Sequence, residues 1–252
     1  MTKKKIGKLF IGTSNIVVPG NKSSYPELYK QKSRLHYYSS IFNSLEVNSS
    51  FYKVPKPVTF QKWATDVDDD FRFSVKLWKE ITHVKELNFQ AENIDFFLKA
   101  TDDLGYKKGC LLVQLPGKIT VDDYSKLEEI LERITAFPSK EPWRIAIEFR
   151  NTSWYVRETY ELLDEYGATL VLHDIPKSKN VTLNKGAGFV YIRFHGPTGD
   201  YRGSYSNDYL KEQYGRMQGW LKQGKDVYAY FNNTIGSALE NVLELKKTAQ
   251  QL

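Results

Sequence analysis

The chain has 252 residues, 41% apolar and 26% charged, with one cysteine and a net charge of +6. That length holds one or two domains around a core large enough to need no covalent staple. A lone Cys110 excludes an internal disulfide and a CxxC zinc site and suits a reducing cytoplasm, and no run of about 18 apolar residues exists to cross a membrane. The N-terminus carries Lys3, Lys4, Lys5 and Lys8 with no apolar segment behind them. It reads as a solvated basic tail rather than a signal peptide, so a cytoplasmic protein is expected.

Short β-branched and aromatic runs then alternate with longer amphipathic stretches. Strands are expected over Lys8–Ser14, Ser44–Phe51, Arg72–Leu77, Gly109–Leu115, Arg144–Arg150, Ala168–Asp174, Phe189–His195 and Asp226–Asn232. Between them the spacing predicts helices over Glu27–Phe42, Pro57–Val67, Ala91–Leu104, Tyr124–Phe137, Val156–Tyr166, Tyr209–Leu221 and Ala238–Ala249. The segment Ile175–Gly188 is rich in Lys, Asn and Gly and lacks an apolar stripe, so an irregular connection is expected after the sixth strand. Alternating strands and helices imply a parallel sheet, and eight units imply one domain of the α/β class folded as a closed (β/α)8 barrel of the TIM type.

Residue parity within the strands is more informative than their number. Ile145, Ile147 and Phe149 share one face of the fifth strand and Ala146, Glu148 and Arg150 the other. The second strand sets Leu45 and Val47 against Glu46 and Asn48, the third Phe73, Val75 and Leu77 against Ser74 and Lys76. The fourth places Gln114 opposite Val113 and Leu115, the seventh Arg193 and His195 opposite Ile192 and Phe194, the eighth Asn232 opposite Phe231. The apolar parity must meet the helices, so the polar parity points inward. There a charge costs several kcal/mol unless it is paired or meets a ligand. Most of these residues lie toward the C-terminal ends of their strands, where barrel enzymes build their sites.

A ligand site is therefore expected at that mouth. Glu148, Asp174 and His195 are the candidates for proton handling. Ser14, Asn48, Lys76, Gln114, Arg150, Arg193 and Asn232 are the candidates for ligand contact. Gly12-Thr13-Ser14 resembles a small backbone nest for an anion, and the glycine-rich loop through Gly196, Gly199 and Gly203 a lid, although an ordinary loop is the plainer reading. Replacing Lys76 or Arg193 by Met is expected to leave thermal stability unchanged or raised if the mouth serves a ligand rather than the fold.

Residues IGTS at 11–14, FNSLEVNSSFY at 42–52, FRFSVKL at 71–77, ITH at 81–83, LLVQLP at 111–116, AIEFRNTSW at 146–154, YIRFHGPTGDYRGSYS at 191–206 and VYAYFNNT at 227–234 follow the order of a known family. As a set they resemble the YecE-like family, domain of unknown function 72. The resemblance implies a TIM-type barrel with distant similarity to endonuclease IV and sugar-isomerase-like enzymes, and no settled reaction. Two positions depart from the pattern. Asn15-Ile16 stand where many members have Gly-Trp, and Gly236-Ser237 where many have Gly-His.

Three functions are compatible with this mouth. A phosphate-directed hydrolase, acting on a phosphodiester of nucleic acid or a phosphorylated metabolite, fits the cations, since Arg grips phosphate bidentately. A module that binds phosphate or nucleic acid without turnover uses the same residues. A sugar-directed enzyme fits less well, because cations are as numerous as carboxylates. With four histidines in the chain a multi-zinc site is not expected; a single divalent metal on Glu148, Asp174 and His195 stays open, and zinc or magnesium alone is expected to do little.

Overall fold

The computed structural model describes residues 5–251. Lys3 and Lys4 of the expected tail lie outside the described residues, while Lys5 and Lys8 are exposed. The strands are β1 (Leu9–Thr13), β2 (Ser44–Val47), β3 (Arg72–Lys76), β4 (Lys108–Leu115), β5 (Arg144–Phe149), β6 (Thr169–Leu170), β7 (Leu172–His173), β8 (Phe189–Phe194) and β9 (Asp226–Phe231). The helices are α1 (Arg34–Ile41), α2 (Ser49–Tyr52), α3 (Pro57–Thr65), α4 (Lys79–Thr82), α5 (Ala91–Thr101), α6 (Tyr124–Ala136), α7 (Arg157–Glu165), α8 (Asn207–Lys222) and α9 (Ala238–Gln251). No described helix is long and apolar enough to cross a membrane.

The expected α/β alternation and parallel pairing are present, but the closed eight-stranded barrel is not. The strands form two parallel sheets, one of four in the order β1-β9-β8-β7 and one of five in the order β2-β3-β4-β5-β6. Two seams separate them, and at each seam side chains take backbone positions that a ladder would have filled. Between β1 and β2 the Ile11 N–H donates to Asn43 Oδ1 (2.9 Å), and Asn43 Nδ2 donates to the Leu9 carbonyl (2.8 Å). The Thr13 N–H donates to Tyr38 Oη (2.8 Å), which itself donates to the Ser44 carbonyl (2.9 Å). An isolated bridge joins Ser14 to Glu46 beyond them.

The second seam divides the expected sixth strand. Thr169–Leu170 pairs with β5, while Leu172–His173 pairs with β8. At the break, Asn184 Oδ1 accepts the Leu170 N–H (2.9 Å) and Asn180 Nδ2 donates to the Val171 carbonyl (2.9 Å). Both asparagines come from the irregular connection, which contributes one 3-10 turn at Pro176–Ser178 and no α-helix.

Gly12 makes the first seam possible. A Cβ there would lie 1.9 Å from the Ser44 carbonyl oxygen and 2.5 Å from Tyr38 Oη. Gly12→Ala is expected to cost about 3 kcal/mol or more in urea unfolding. An unchanged midpoint would mean that β1 and β2 do not approach this closely.

Other elements differ locally from the expectation. The predicted helix over Glu27–Phe42 forms only at Arg34–Ile41, where Ser33 Oγ accepts the His36 N–H as an N-cap; the segment before it holds separate 3-10 turns. The second strand stops at Val47, four residues short of the expectation, and turns into α2.

The two strand parities separate into two cores. Val75, Leu111, Val113, Ile147, Phe149, Ile192 and Phe231 belong to the large cluster packed under the helices. Phe10, Cys110, Leu112, Ala146, Tyr191, Tyr228 and Tyr230 form a smaller cluster between the sheets. The polar site sits on this inner side, one layer further toward the C-terminal strand ends.

Candidate active site

Arg193, on β8, is 2% exposed and reaches across to the other sheet. Its Nε and Nη2 donate to Glu46 Oε2 (2.9 Å) and Oε1 (2.8 Å), and its Nη1 donates to Glu148 Oε2 (2.8 Å). Glu46 and Glu148 are both fully buried. Glu46 Oε1 also accepts from Ser14 Oγ (2.5 Å) and Asn48 Nδ2 (3.2 Å), and Oε2 from Tyr191 Oη (2.7 Å). Burial alone would raise both carboxyl pKa values. The Arg193 guanidinium at Glu46, and those of Arg150 and then Arg193 at Glu148, outweigh it and hold both below the ordinary range. One guanidinium thus ties two carboxylates across the sheets.

Arg150 follows β5 and is partly exposed. Its Nε donates to Glu148 Oε1. Its outer nitrogens meet only neutral partners, Tyr201 Oη at 3.3 Å and His195 Nε2 at 3.2 Å. Since a guanidinium can only donate, His195 Nε2 is the accepting nitrogen and the proton sits on Nδ1. That proton faces Asp174 Oδ1 (3.2 Å), which also accepts the His195 backbone N–H (2.9 Å). Asp174 Oδ2 accepts from Tyr205 Oη, which in turn accepts the Gly196 N–H (2.6 Å). Burial lowers the His195 pKa against the pull of Asp174, so the imidazole is neutral at pH 7. His195 itself is fully buried.

Lys76 ends β3 and is partly exposed. Its Nζ donates to Gln114 Oε1 (2.9 Å) and stands 4.1 Å from the Phe51 ring centroid. Glu46 and Glu148 are both taken by arginine, and Lys76 makes no ion pair among the described residues. Burial, with Arg193 beside it, pushes its pKa down to about 8.

Ser14, Asn48, Glu148, Arg150, Asp174, Arg193 and His195 are thereby joined by direct hydrogen bonds or through Glu46, while Lys76 and Gln114 bond to each other as a separate pair. Asn232 is not joined in this way: its backbone N–H donates to the Phe194 carbonyl (2.7 Å) and its side chain makes no hydrogen bond among the described residues. The backbone nest at Gly12-Thr13-Ser14 does not form either. The Thr13 and Ser14 N–H groups are taken by Tyr38 Oη and the Phe231 carbonyl. Among the described residues no group of three or more His, Cys, Asp or Glu side chains is gathered to hold a metal ion. The set Glu148, Asp174, His195 fails because arginines occupy the Glu148 oxygens.

Four contributors escaped the sequence reading as site residues. Glu46 carried a usable signal, its place on the inward parity of the second strand. Tyr191 was signalled in the same way. Tyr201 and Tyr205 lie in the glycine-rich loop and carried none. That loop covers the site under backbone strain: Tyr201 adopts φ 68° and donates its N–H to the His195 carbonyl (2.7 Å). The turn after β9 braces it. Ile235 and Ser237 donate backbone N–H bonds to the Tyr201 and Gly203 carbonyls (both 3.1 Å), and a Cβ on Gly236 would meet the Gly203 oxygen at 2.5 Å. The departure at Gly236-Ser237 therefore bears on the cover of the site. At the other departure, Asn15 has φ 63° and its Oδ1 accepts the Asn48 N–H (3.3 Å).

Comparison with known proteins bears on the family and the fold. The family described as "Protein of unknown function DUF72" matches residues 10–252. The UPF0759 protein YecE of Escherichia coli (strain K12) is 33% identical over 82 residues, 32% of this chain and 30% of YecE. The UPF0759 protein YunF of Bacillus subtilis (strain 168) is 26% identical over 250 residues, covering 85% of each chain. Among solved structures, a DUF72 family protein of Thermotoga maritima MSB8 superposes with a TM-score of 0.75 at 26% identity, covering 96% of this chain and 99% of that one. SacUVDE shares the fold at a TM-score of 0.59 and 11% identity, with 98% of each chain covered.

Proposed function

We propose that this chain, which belongs to the DUF72 family, is a phosphate-directed hydrolase that binds a phosphoester on Lys76 and Arg150 and moves protons through His195 and Asp174. The observation that carries this reading is the uneven satisfaction of charge. The buried carboxylates are spent on Arg193, while Lys76 and the outer nitrogens of Arg150 have only neutral partners and reach the surface. Two incompletely neutralised cations at one partly dry mouth favour an anion, and charge-assisted hydrogen bonds contribute roughly 1.5–3 kcal/mol each.

The chemistry follows from the same bonds. A phosphate that draws Arg150 outward releases His195 Nε2, whose ring Asp174 holds in the Nδ1–H tautomer. The freed nitrogen takes a proton from water as its oxygen attacks phosphorus, and the imidazolium then returns that proton to the departing ester oxygen as the P–O bond breaks. Arg193, Glu46 and Glu148 position Arg150 and do not react. A non-catalytic binding module is the second reading, and the full burial of His195 favours it. A phosphodiester of nucleic acid and a phosphorylated metabolite offer the same group.

Inorganic phosphate is expected to raise Tm in a concentration-dependent way, by about 2.7 kcal/mol of stability at a hundred times Kd. Lys76→Met and Arg150→Met should each remove most of that shift. Calorimetry with phosphate, a nucleotide, short DNA and free sugars separates the readings. Heat from sugars with none from any phosphate compound would reject an anion site. Tight binding with no turnover of any phosphoester would leave the binding module. If DNA binds, its affinity should fall with salt by a slope that counts the phosphates contacted.

A further inference from the structure

Lys76 has features that an anchor for charge alone does not need. Arg would serve that role better, since it cannot lose its proton. The Lys76 backbone carbonyl is pinned by Ser50 Oγ (2.8 Å), and its Nζ is steered by Gln114 on the neighbouring strand. The Phe51 face favours the charged ammonium. Burial first, then the Arg193 guanidinium, oppose it and outweigh Glu148 and Glu46, with a smaller push from Arg150. His83, on the other side, is itself kept neutral, its pKa lowered to about 4 by burial and by Lys76. The result is an amine that is partly free of its proton near neutral pH, held on a rigid strand end by Gln114, with Arg193 and Arg150 among the charges that act on it. A lysine desolvated and crowded by cations is the setting in which the amine becomes a nucleophile toward carbonyl carbon.

We infer that Lys76 captures a carbonyl group, and that the ligand of this site is a phosphorylated aldehyde or ketone seated with its phosphate on Arg150. The phosphate half rests on the anion reading above. In the step itself the Nζ lone pair forms the C–N bond while the carbonyl π pair moves to oxygen, which takes a proton from Nζ. The carbinolamine then loses its hydroxyl with the second Nζ proton as water, and the nitrogen lone pair closes the C=N bond. Amine plus carbonyl gives imine plus one water, with no oxidant or metal required.

The test is reductive trapping on the full chain with glyceraldehyde 3-phosphate and cyanoborohydride near pH 7, followed by peptide mass mapping. Lys76 should be modified roughly tenfold or more faster than exposed lysines such as Lys53 and Lys118. Lys76→Arg should lose that adduct. Labelling spread evenly over surface lysines, with Lys76 no faster, overturns carbonyl capture even if phosphate still raises Tm; the anion site then stands alone. Equal trapping of unphosphorylated glyceraldehyde at Lys76, with no phosphate shift, keeps the capture and removes the anion site.

Discussion

Arg193→Met is expected to destabilise the fold by about 3–5 kcal/mol, the cost of leaving buried charge without its partner. The sequence suggested no loss, on the view that a ligand mouth tolerates an apolar replacement. The bonds of Arg193 reverse that expectation, because it compensates two carboxylates that no ligand reaches. In the variant Glu46 keeps Ser14, Asn48 and Tyr191 as donors, and Glu148 keeps Arg150. Glu46 is then the more exposed to an uncompensated charge, and its pKa should rise above the unfolded value. A raised folded pKa gives stability that is present at low pH and lost as pH rises through it. The deficit against the parent should therefore be larger near pH 8 than near pH 5. Urea unfolding of both proteins at the two pH values measures this. A loss under about 1 kcal/mol at both would show that Arg193 is not what holds the sheets' inner faces together. Adding Glu46→Gln and Glu148→Gln to Arg193→Met should recover much of the loss, since the buried charges go together.

The alternation that placed Glu148, Arg193 and His195 inside was legible because it depends only on a period of two within each strand. The seams were not legible, because each is made by side chains that stand in for backbone. Asn43 and Tyr38 take the place of a β1–β2 ladder, and Asn180 and Asn184 divide the sixth strand. A strand count cannot register that substitution, so eight runs suggested closure where two sheets form. Glu46 and Asn48 stand on the same parity of the second strand, and parity alone does not rank them. The early stop of β2 at Val47 left Asn48 as a lesser donor and Glu46 as the anchor of Arg193. The role of Lys76 depends on which carboxylates the arginines take first, which is a three-dimensional competition. The cover by Tyr201 depends on a positive φ at a non-glycine residue, for which the sequence carries no signal.

Acid should weaken this protein well before its carboxylates titrate. His173 is 4% exposed, its Nε2 lies 3.2 Å from the Phe149 carbonyl, and its Nδ1 has no partner. Burial pushes its pKa from 6.5 down to about 4, and burial lowers that of His195 as well. Between those limits the unfolded chain binds protons that the folded chain refuses. Stability is therefore full above the unfolded value and falls as pH drops toward the folded one, by about 3 kcal/mol for His173 alone at pH 4. Glu46 and Glu148 continue the decline with the same sign. Their folded pKa values are depressed, so their contribution is present above about 4.5 and is lost as pH falls further. His173→Gln retains a nitrogen that can donate to the Phe149 carbonyl and removes the titrating group. Its stability should decline less between about pH 6.5 and 5 than that of the parent, the remaining decline being the shares due to His195 and His83. Urea unfolding at about pH 7, 5.5 and 4.5 reads the two slopes. If the two proteins decline in parallel, His173 is not held neutral by its burial, and the acid limb belongs to the carboxylates, His195 and His83.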